Sequence, residues 1–262
     1  MKLSNLLDRP KLVIRSLELA APAVLVTWWW FASQNSGSPF FPPLSEIFSD
    51  FRQYWLGERL LSDLLPSLKR MLGGFLLASL LGSTVGLLLG LSASLRHILD
   101  PLVTFLRSIP AAALIPMAIV ALGLGDTMKI SVVAFVCVWP VLLNAMDAVD
   151  DRDPEMVATS CAYRIGRIRA FWHITLPGAA PRISSGMRTS LSLAIAVTLI
   201  SEMVASTNGV GAFTIRAQRQ FDSAAMWSAI ILLGLLGYVL NLAYSALERL
   251  VLRWHFESKE VA

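Results

Sequence analysis

Residues 150–182 read DDRDPEMVATSCAYRIGRIRAFWHITLPGAAPR, a polar and basic segment set between long apolar runs. It carries Arg152, Arg164, Arg167, Arg169 and Arg182. A loop this basic between spanning segments belongs on the cytoplasmic side of a membrane, because the Lys and Arg bias of short loops sets orientation. Asp153-Pro154 marks a helix start: proline is pre-set for the first helical position, and Glu155 in the first turn complements the helix dipole. The stretch closes on Ile174, Leu176, Pro177 and Gly178, an I-x-L-P-G ending.

The rest of the chain supplies the membrane. Of 262 residues 55% are hydrophobic and 15% charged, with a mean hydropathy of +0.63. Soluble domains carry about 45–50% apolar and about 25% charged residues, so the composition indicates an integral membrane protein. The net charge of +4 does not point to nucleic acid, since the basic residues sit in short loops and not on a stripe interleaved with aromatics. Cys137 lies in an apolar run and Cys161 in the basic loop; with no C-x-x-C spacing or His cluster they read as reduced thiols, with no metal site.

Helical spans need about 20 apolar residues, and six stretches qualify: 12–32, 71–91, 102–122, 128–149, 183–204 and 225–247. The first follows a basic segment (Lys2, Arg9, Lys11, Arg15) and is longer than a signal-peptide core of roughly 7–15 residues, so it is expected to be an uncleaved span. With the N-terminus inside, Arg96, the 150–182 loop and the tail with Arg249, Arg253 and Lys259 are also inside. The outside segments hold fewer, among them Arg52, Arg59, Lys129, Arg216 and Arg219, and the bias predicts an N-in, C-in chain. The expected fold is all-α: one polytopic transmembrane domain over 1–262 with about six helices.

Between the first two spans, Pro39, Pro42 and Pro43 exclude helix. Then Leu44, Ile47, Phe48, Phe51, Tyr54 and Trp55 recur at helical spacing, predicting an amphipathic helix on the outer face. Trp28, Trp29 and Trp30 suit an interfacial aromatic belt. Gly82, Gly86 and Gly90 form a small-residue stripe on the second span, which serves either close helix packing within the chain or a face of a solute pathway.

No G-x-x-x-x-G-K-[ST] phosphate loop is present; the sequence has no Gly-Lys pair, no H-E-x-x-H and no G-x-S-x-G. Independent catalysis is therefore not expected. The I-x-L-P-G ending resembles the cytoplasmic loop of permease subunits of binding-protein-dependent ABC importers. That family's motif reads Glu-Ala-Ala, three residues, Gly, nine residues, Ile-x-Leu-Pro. Counting back from Pro177 places its Gly at Arg164 and its Glu-Ala-Ala at Ala158, Thr159 and Ser160, so the back half fits and the front half departs. Nearly the whole chain is similar to the nitrate, sulfonate, taurine and bicarbonate branch. The signposts are Ser67, Arg70 and Gly74, then Asp100-Pro101, Arg107, Pro110, Pro116 and Gly123-Leu124-Gly125, and later Glu202, Gly209 and Gly211.

The resemblance implies a type I importer permease fold in the bacterial inner membrane. It also implies a second permease copy as a homodimer, two cytoplasmic ATPase subunits that hold ATP and Mg, and an extracytoplasmic solute-binding protein. No cofactor is implied in this chain, and the solute would be a small oxyanion or organic sulfonate. A self-contained secondary transporter or channel is the alternative; it would also need a polar pathway and interrupted helices, but has no use for the loop with Leu176-Pro177-Gly178.

In relatives the motif Gly ends a short coupling helix, because glycine takes φ > 0 without a Cβ penalty. With Arg164 in that place, one reading lets the helix run on and turn at Gly166. Glu155 then stands in for the missing Glu at Ala158, and Arg164 and Arg167 meet acidic groups on the ATPase. The other makes the two motif residues dispensable and Gly166 ordinary helix. Arg107 and Glu202 are two of the charges that fall inside expected spans. Arg107 either meets an anionic solute, or snorkels to the interface or caps carbonyls freed by Pro110. Glu202 either pairs across the dimer as a gate or faces external water.

Overall fold

From Met128 to Val149 no residue of the helix Asp126–Asp150 is exposed, and the rest of the chain is arranged around it. The structure, a computed structural model, describes residues 20, 24, 26–34, 40–152 and 154–254. In chain order the elements are α1 (Leu44–Gln53), two π-helical segments (Tyr54–Glu58 and Leu60–Leu64), α2 (Leu65–Gly90), α3 (Ala93–Arg107), α4 (Ala111–Leu122) and α5 (Asp126–Asp150). They continue with α6 (Pro154–Ala162), α7 (Arg167–Ala170), a third π-helical segment (Phe171–Thr175), α8 (Leu176–Ala205), α9 (Val210–Arg219) and α10 (Ser223–Val251). Residues 26–33 are helical as well.

Among the described residues, four helical stretches are long and apolar enough to cross a bilayer: Leu60–Gly90, Asp126–Asp150, Arg167–Ala205 and Ser223–Val251. They carry the expected spans 71–91, 128–149, 183–204 and 225–247. The expected span 12–32 lies largely outside the described residues. The expected span 102–122 is not one helix, which corrects the sequence reading: α3 and α4 meet at 91° across Ser108–Pro110. Pro110 has no N–H to continue the ladder and disfavours helical geometry in the residue before it. It serves as the N-cap of α4 at φ −62°, ψ 134°.

α2 and α8 both pack along α5 and also touch each other. The small-residue stripe explains the contact of α2 with α5. A Cβ on Gly86 would sit 2.5 Å from the Leu142 carbonyl, one on Gly82 2.8 Å from Val141 Cβ, and one on Gly90 2.8 Å from the Met146 carbonyl. The stripe therefore serves helix packing within the chain, with backbones in near contact. On α8 Gly186 meets the Pro140 carbonyl in the same way. Ser190 and Cys137 exchange hydrogen bonds, Ser190 Oγ to the Cys137 carbonyl at 2.8 Å and Cys137 Sγ to the Ser190 carbonyl at 3.4 Å. Met71, Phe75, Ile115, Val133 and Leu191 knit α2, α4, α5 and α8 into one core.

The expected amphipathic helix is present as α1, with Leu44 and Ile47 buried. Trp55 just beyond it is buried against Val210, Phe213 and Ala229, and its indole N–H donates to Ser228 Oγ at 3.1 Å. This region marks the far end of the bundle, opposite the 150–182 loop.

Candidate functional site

The two ends of the bundle carry different polar constructions. At the loop end, α6 has no buried residue among those described, and Glu155, Met156, Ala158 and Thr159 are all exposed. The helix ends in a Schellman turn: the Ile165 amide donates to the Ser160 carbonyl at 2.9 Å and the Arg164 amide to the Cys161 carbonyl at 3.0 Å. Arg164 adopts φ +51° to make it. The turn thus falls at the position of the family Gly, and the expectation of a turn shifted to Gly166 is corrected. The two backbone bonds offset the cost to Arg164 of a conformation usually left to glycine. Gly166 sits at φ −60°, ψ 144° as the N-cap of α7, in extended geometry open to any residue and outside helix interior, so the alternative placing it in ordinary helix fails too.

Around that turn Tyr163, Ile168 and Trp172 are exposed, and so are Arg164, Arg167 and Arg169. Ile174, Leu176 and Pro177 are half-buried and Gly178 exposed, at the entry of α8. The expected loop is helical from Arg167 onward, so the I-x-L-P-G ending is not free loop: Ile174 lies in the π-helical segment Phe171–Thr175, and Leu176-Pro177-Gly178 continues it into α8.

The loop is stapled at its base. Arg152 Nε donates to the Val149 carbonyl at 2.6 Å and its Nη1 to Thr175 Oγ1 at 3.3 Å. Asp147 joins three helices: Arg96 of α3 donates to Oδ1 at 3.0 Å and Arg182 of α8 lies 3.7 Å from Oδ2. Arg96 also pairs with Asp150, and Arg182 with Asp151.

At the far end Glu202 is fully buried, neither in water nor reserved for a second copy, which corrects both sequence readings. Ser67 Oγ donates to it at 2.8 Å, Arg70 Nη1 at 2.7 Å and the Gly211 amide at 3.1 Å. Arg70 also donates to Asp126 at 2.7 Å and to the Asn208 side chain at 2.7 Å. The Gly209 amide donates to buried Asp63 at 2.7 Å and the Val210 amide to Ser67 Oγ at 2.9 Å. The first amides of α9 are thus capped by three side chains from α8, α2 and the segment before it, two of them carboxylates at the positive end of a helix dipole. Gly209, at φ +113°, leaves no room for a Cβ, which would fall 2.5 Å from the Glu202 carboxylate.

Arg107 is exposed at the C-terminal end of α3, beside the 91° break. The structure does not bring it near Glu202. Asp63, Asp147 and Arg188 were missed from sequence. Arg188 carried the clearest signal, since it lies five residues into the span 183–204, as deep as Arg107 in its own. Among the described residues no group of three His, Cys, Asp or Glu side chains could hold a metal ion.

Comparison with known proteins completes the picture. A sequence profile of the family described as binding-protein-dependent transport system inner membrane component matches residues 60–253. The chain is similar to the taurine transport system permease protein TauC of Escherichia coli, 28% identical, with 92% of this chain and 90% of that protein covered. It is also similar to the bicarbonate transport system permease protein CmpB of Synechococcus elongatus, 30% identical, with 87% and 86% covered. Its fold is like that of a chain of the MetNI methionine ABC transporter in an inward-facing conformation: TM-score 0.62, 19% identity, 71% of this chain and 93% of that one covered. The chain belongs to the inner membrane components of binding-protein-dependent transport systems, and is the multi-pass permease subunit of an ABC importer.

Proposed function

We propose that two copies of this chain form the membrane pathway of an importer for small oxyanions or organic sulfonates, with one ATPase docked on each 150–182 loop. Both termini and that loop then lie in the cytoplasm, and the far end meets the solute-binding protein. The observation that carries the docking reading is α6 with its Schellman turn. This nine-residue helix has no buried residue among those described, and it and the segment after it present exposed Met156, Tyr163, Ile168 and Trp172. Apolar surface of this kind, rimmed by charge, marks a protein-binding site. Glu155, Ala158, Arg164, Gly166 and Arg167 would contact the ATPase, while Ile174, Leu176, Pro177 and Gly178 connect that contact to α8. With no phosphate loop in this chain, ATP hydrolysis falls to the partner. The solute class rests on relatives named for taurine and bicarbonate.

The test is reconstitution of the permease in liposomes with its ATPase and binding protein, followed by uptake of labelled taurine and bicarbonate. ATP-dependent uptake that vanishes without the ATPase is expected. Uptake by the permease alone would overturn the reading.

A further inference from the structure

The outward faces of the spanning helices differ in kind. On α2 the exposed residues include Leu72, Leu76, Leu80 and Leu88, and on α10 Leu235, Val239, Leu242 and Leu247; these faces suit lipid. On α8, Ser185, Arg188, Thr189 and Ser192 are exposed and fall at i, i+3, i+4 and i+7, on one face of the helix. Arg188 is six residues beyond Arg182, about 9 Å deeper at 1.5 Å per residue, and Arg182 is held at the loop end by Asp147 and Asp151. The Arg188 side chain is nonetheless 47% exposed. A charge inside a membrane span faces a water-filled cavity or other polar groups, because hydrocarbon contact costs about 3 kcal/mol or more.

Arg188 is held but not enclosed. It pairs with Glu248 of α10, a carboxylate only 12% exposed. The other oxygen of Glu248 accepts from Ser184 Oγ at 2.7 Å, and Ser184 Oγ lies 2.9 Å from Tyr244 OH. Beside this group lies a cavity of about 350 Å³ lined by Ile183, Ser184, Met187, Tyr244, Leu247 and Glu248. Glu248 thus fixes one side of a guanidinium whose remainder stays open.

We propose that Arg188 lines the solute pathway and presents its charge to the passing anion, with Glu248 as the counter-ion that keeps this attraction weak enough for release. Conduction needs binding that is favourable yet reversible, and a resident carboxylate competing for the same cation provides this. The lining role is argued from the exposed polar face of α8 in a permease subunit; the anion rests on the solute reading above.

The test uses the permease assembled with its ATPase, in a Cys161→Ser background because Cys161 is exposed while Cys137 is buried. Ser192→Cys, one turn from Arg188, is compared with Leu80→Cys and Leu242→Cys on the apolar faces. Water-soluble, membrane-impermeant thiol reagents should modify Ser192→Cys at least tenfold faster than either control; equal rates would overturn the lining role. A negatively charged sulfonate reagent should outpace a positively charged trimethylammonium reagent there, and adding Arg188→Gln should cut that preference at least fivefold, with Arg188→Lys restoring most of it. A preference unchanged by Arg188→Gln would overturn the charge role. Neither readout needs a transported solute, so failure of taurine and bicarbonate uptake with both results intact would count against the solute reading alone.

Discussion

Arg70 Nη1 donates to Glu202 Oε1 at 2.7 Å across 132 positions of sequence, and both side chains are almost wholly buried. Such a pair is costly to break from one side, because the survivor is left as an uncompensated buried charge, at about 3–5 kcal/mol. Glu202→Ala also strips acceptors from Ser67 and the Gly211 amide. Thermal unfolding of the detergent-solubilised permease should fall markedly for Glu202→Ala and less for Glu202→Gln, which still accepts hydrogen bonds. An unchanged midpoint for Glu202→Ala would show that the pair does not hold α9 in place.

Packing between α2 and α5 should be equally unforgiving. Gly86→Val places a branched side chain where even a Cβ would lie 2.5 Å from the Leu142 carbonyl; overpacking of this kind costs about 1–3 kcal/mol. Gly234→Ala on α10, where no atom lies within 4 Å of the new Cβ, should be neutral or slightly stabilising. Comparing the two in one denaturation assay separates tight packing from a general intolerance of substituted glycines.

At the coupling turn, Arg164→Gly should stabilise the loop, since a left-handed conformation costs a residue with a Cβ about 1 kcal/mol or more. Gly166→Ala should be silent, because Gly166 has negative φ and open space around it. A β-branched Arg164→Val should weaken co-purification of the ATPase. Tolerance of Val at 164 combined with sensitivity at 166 would reverse this assignment of the turn.

Asp147, at the loop end of α5, ties that helix to the broken α3–α4 unit through Arg96 and to α8 through Arg182. The pairs are partly exposed, so stability should change by less than about 1 kcal/mol in Asp147→Asn. Transport per ATP hydrolysed should instead fall severalfold while the ATPase stays bound, with Asp147→Glu retaining part of the coupling. An unchanged ratio would make Asp147 a bystander.

Orientation is tested by reporter fusions. Fusions after Asp150 and at the C-terminus should report cytoplasm, and one within 35–38 the outside. An outside signal from the Asp150 fusion would invert the topology and remove the docking reading.

Composition and periodicity by themselves determined that the chain is helical and membrane-spanning. They located the helices on either side of the 150–182 loop, because an apolar run of span length and an I-x-L-P-G ending are local patterns that no distant contact needs to complete. The glycine stripe was legible as a small-residue face for the same reason, and its contacts with α5 decided for packing within the chain. Tertiary structure alone decided which charges meet. Arg70, Asp126 and Glu202 are scattered over three helices, and their pairing depends on how α2, α5 and α8 align, a relation between distant segments that local spacing does not encode. The turn at Arg164 lay beyond residue preferences as well: glycine marks such a turn statistically, whereas two backbone hydrogen bonds form it in fact. Arg107 and Arg188 stood at equal depth in their expected spans, and only the break at Pro110 and the neighbouring Glu248 distinguish a cation at a helix end from one held open on a polar face.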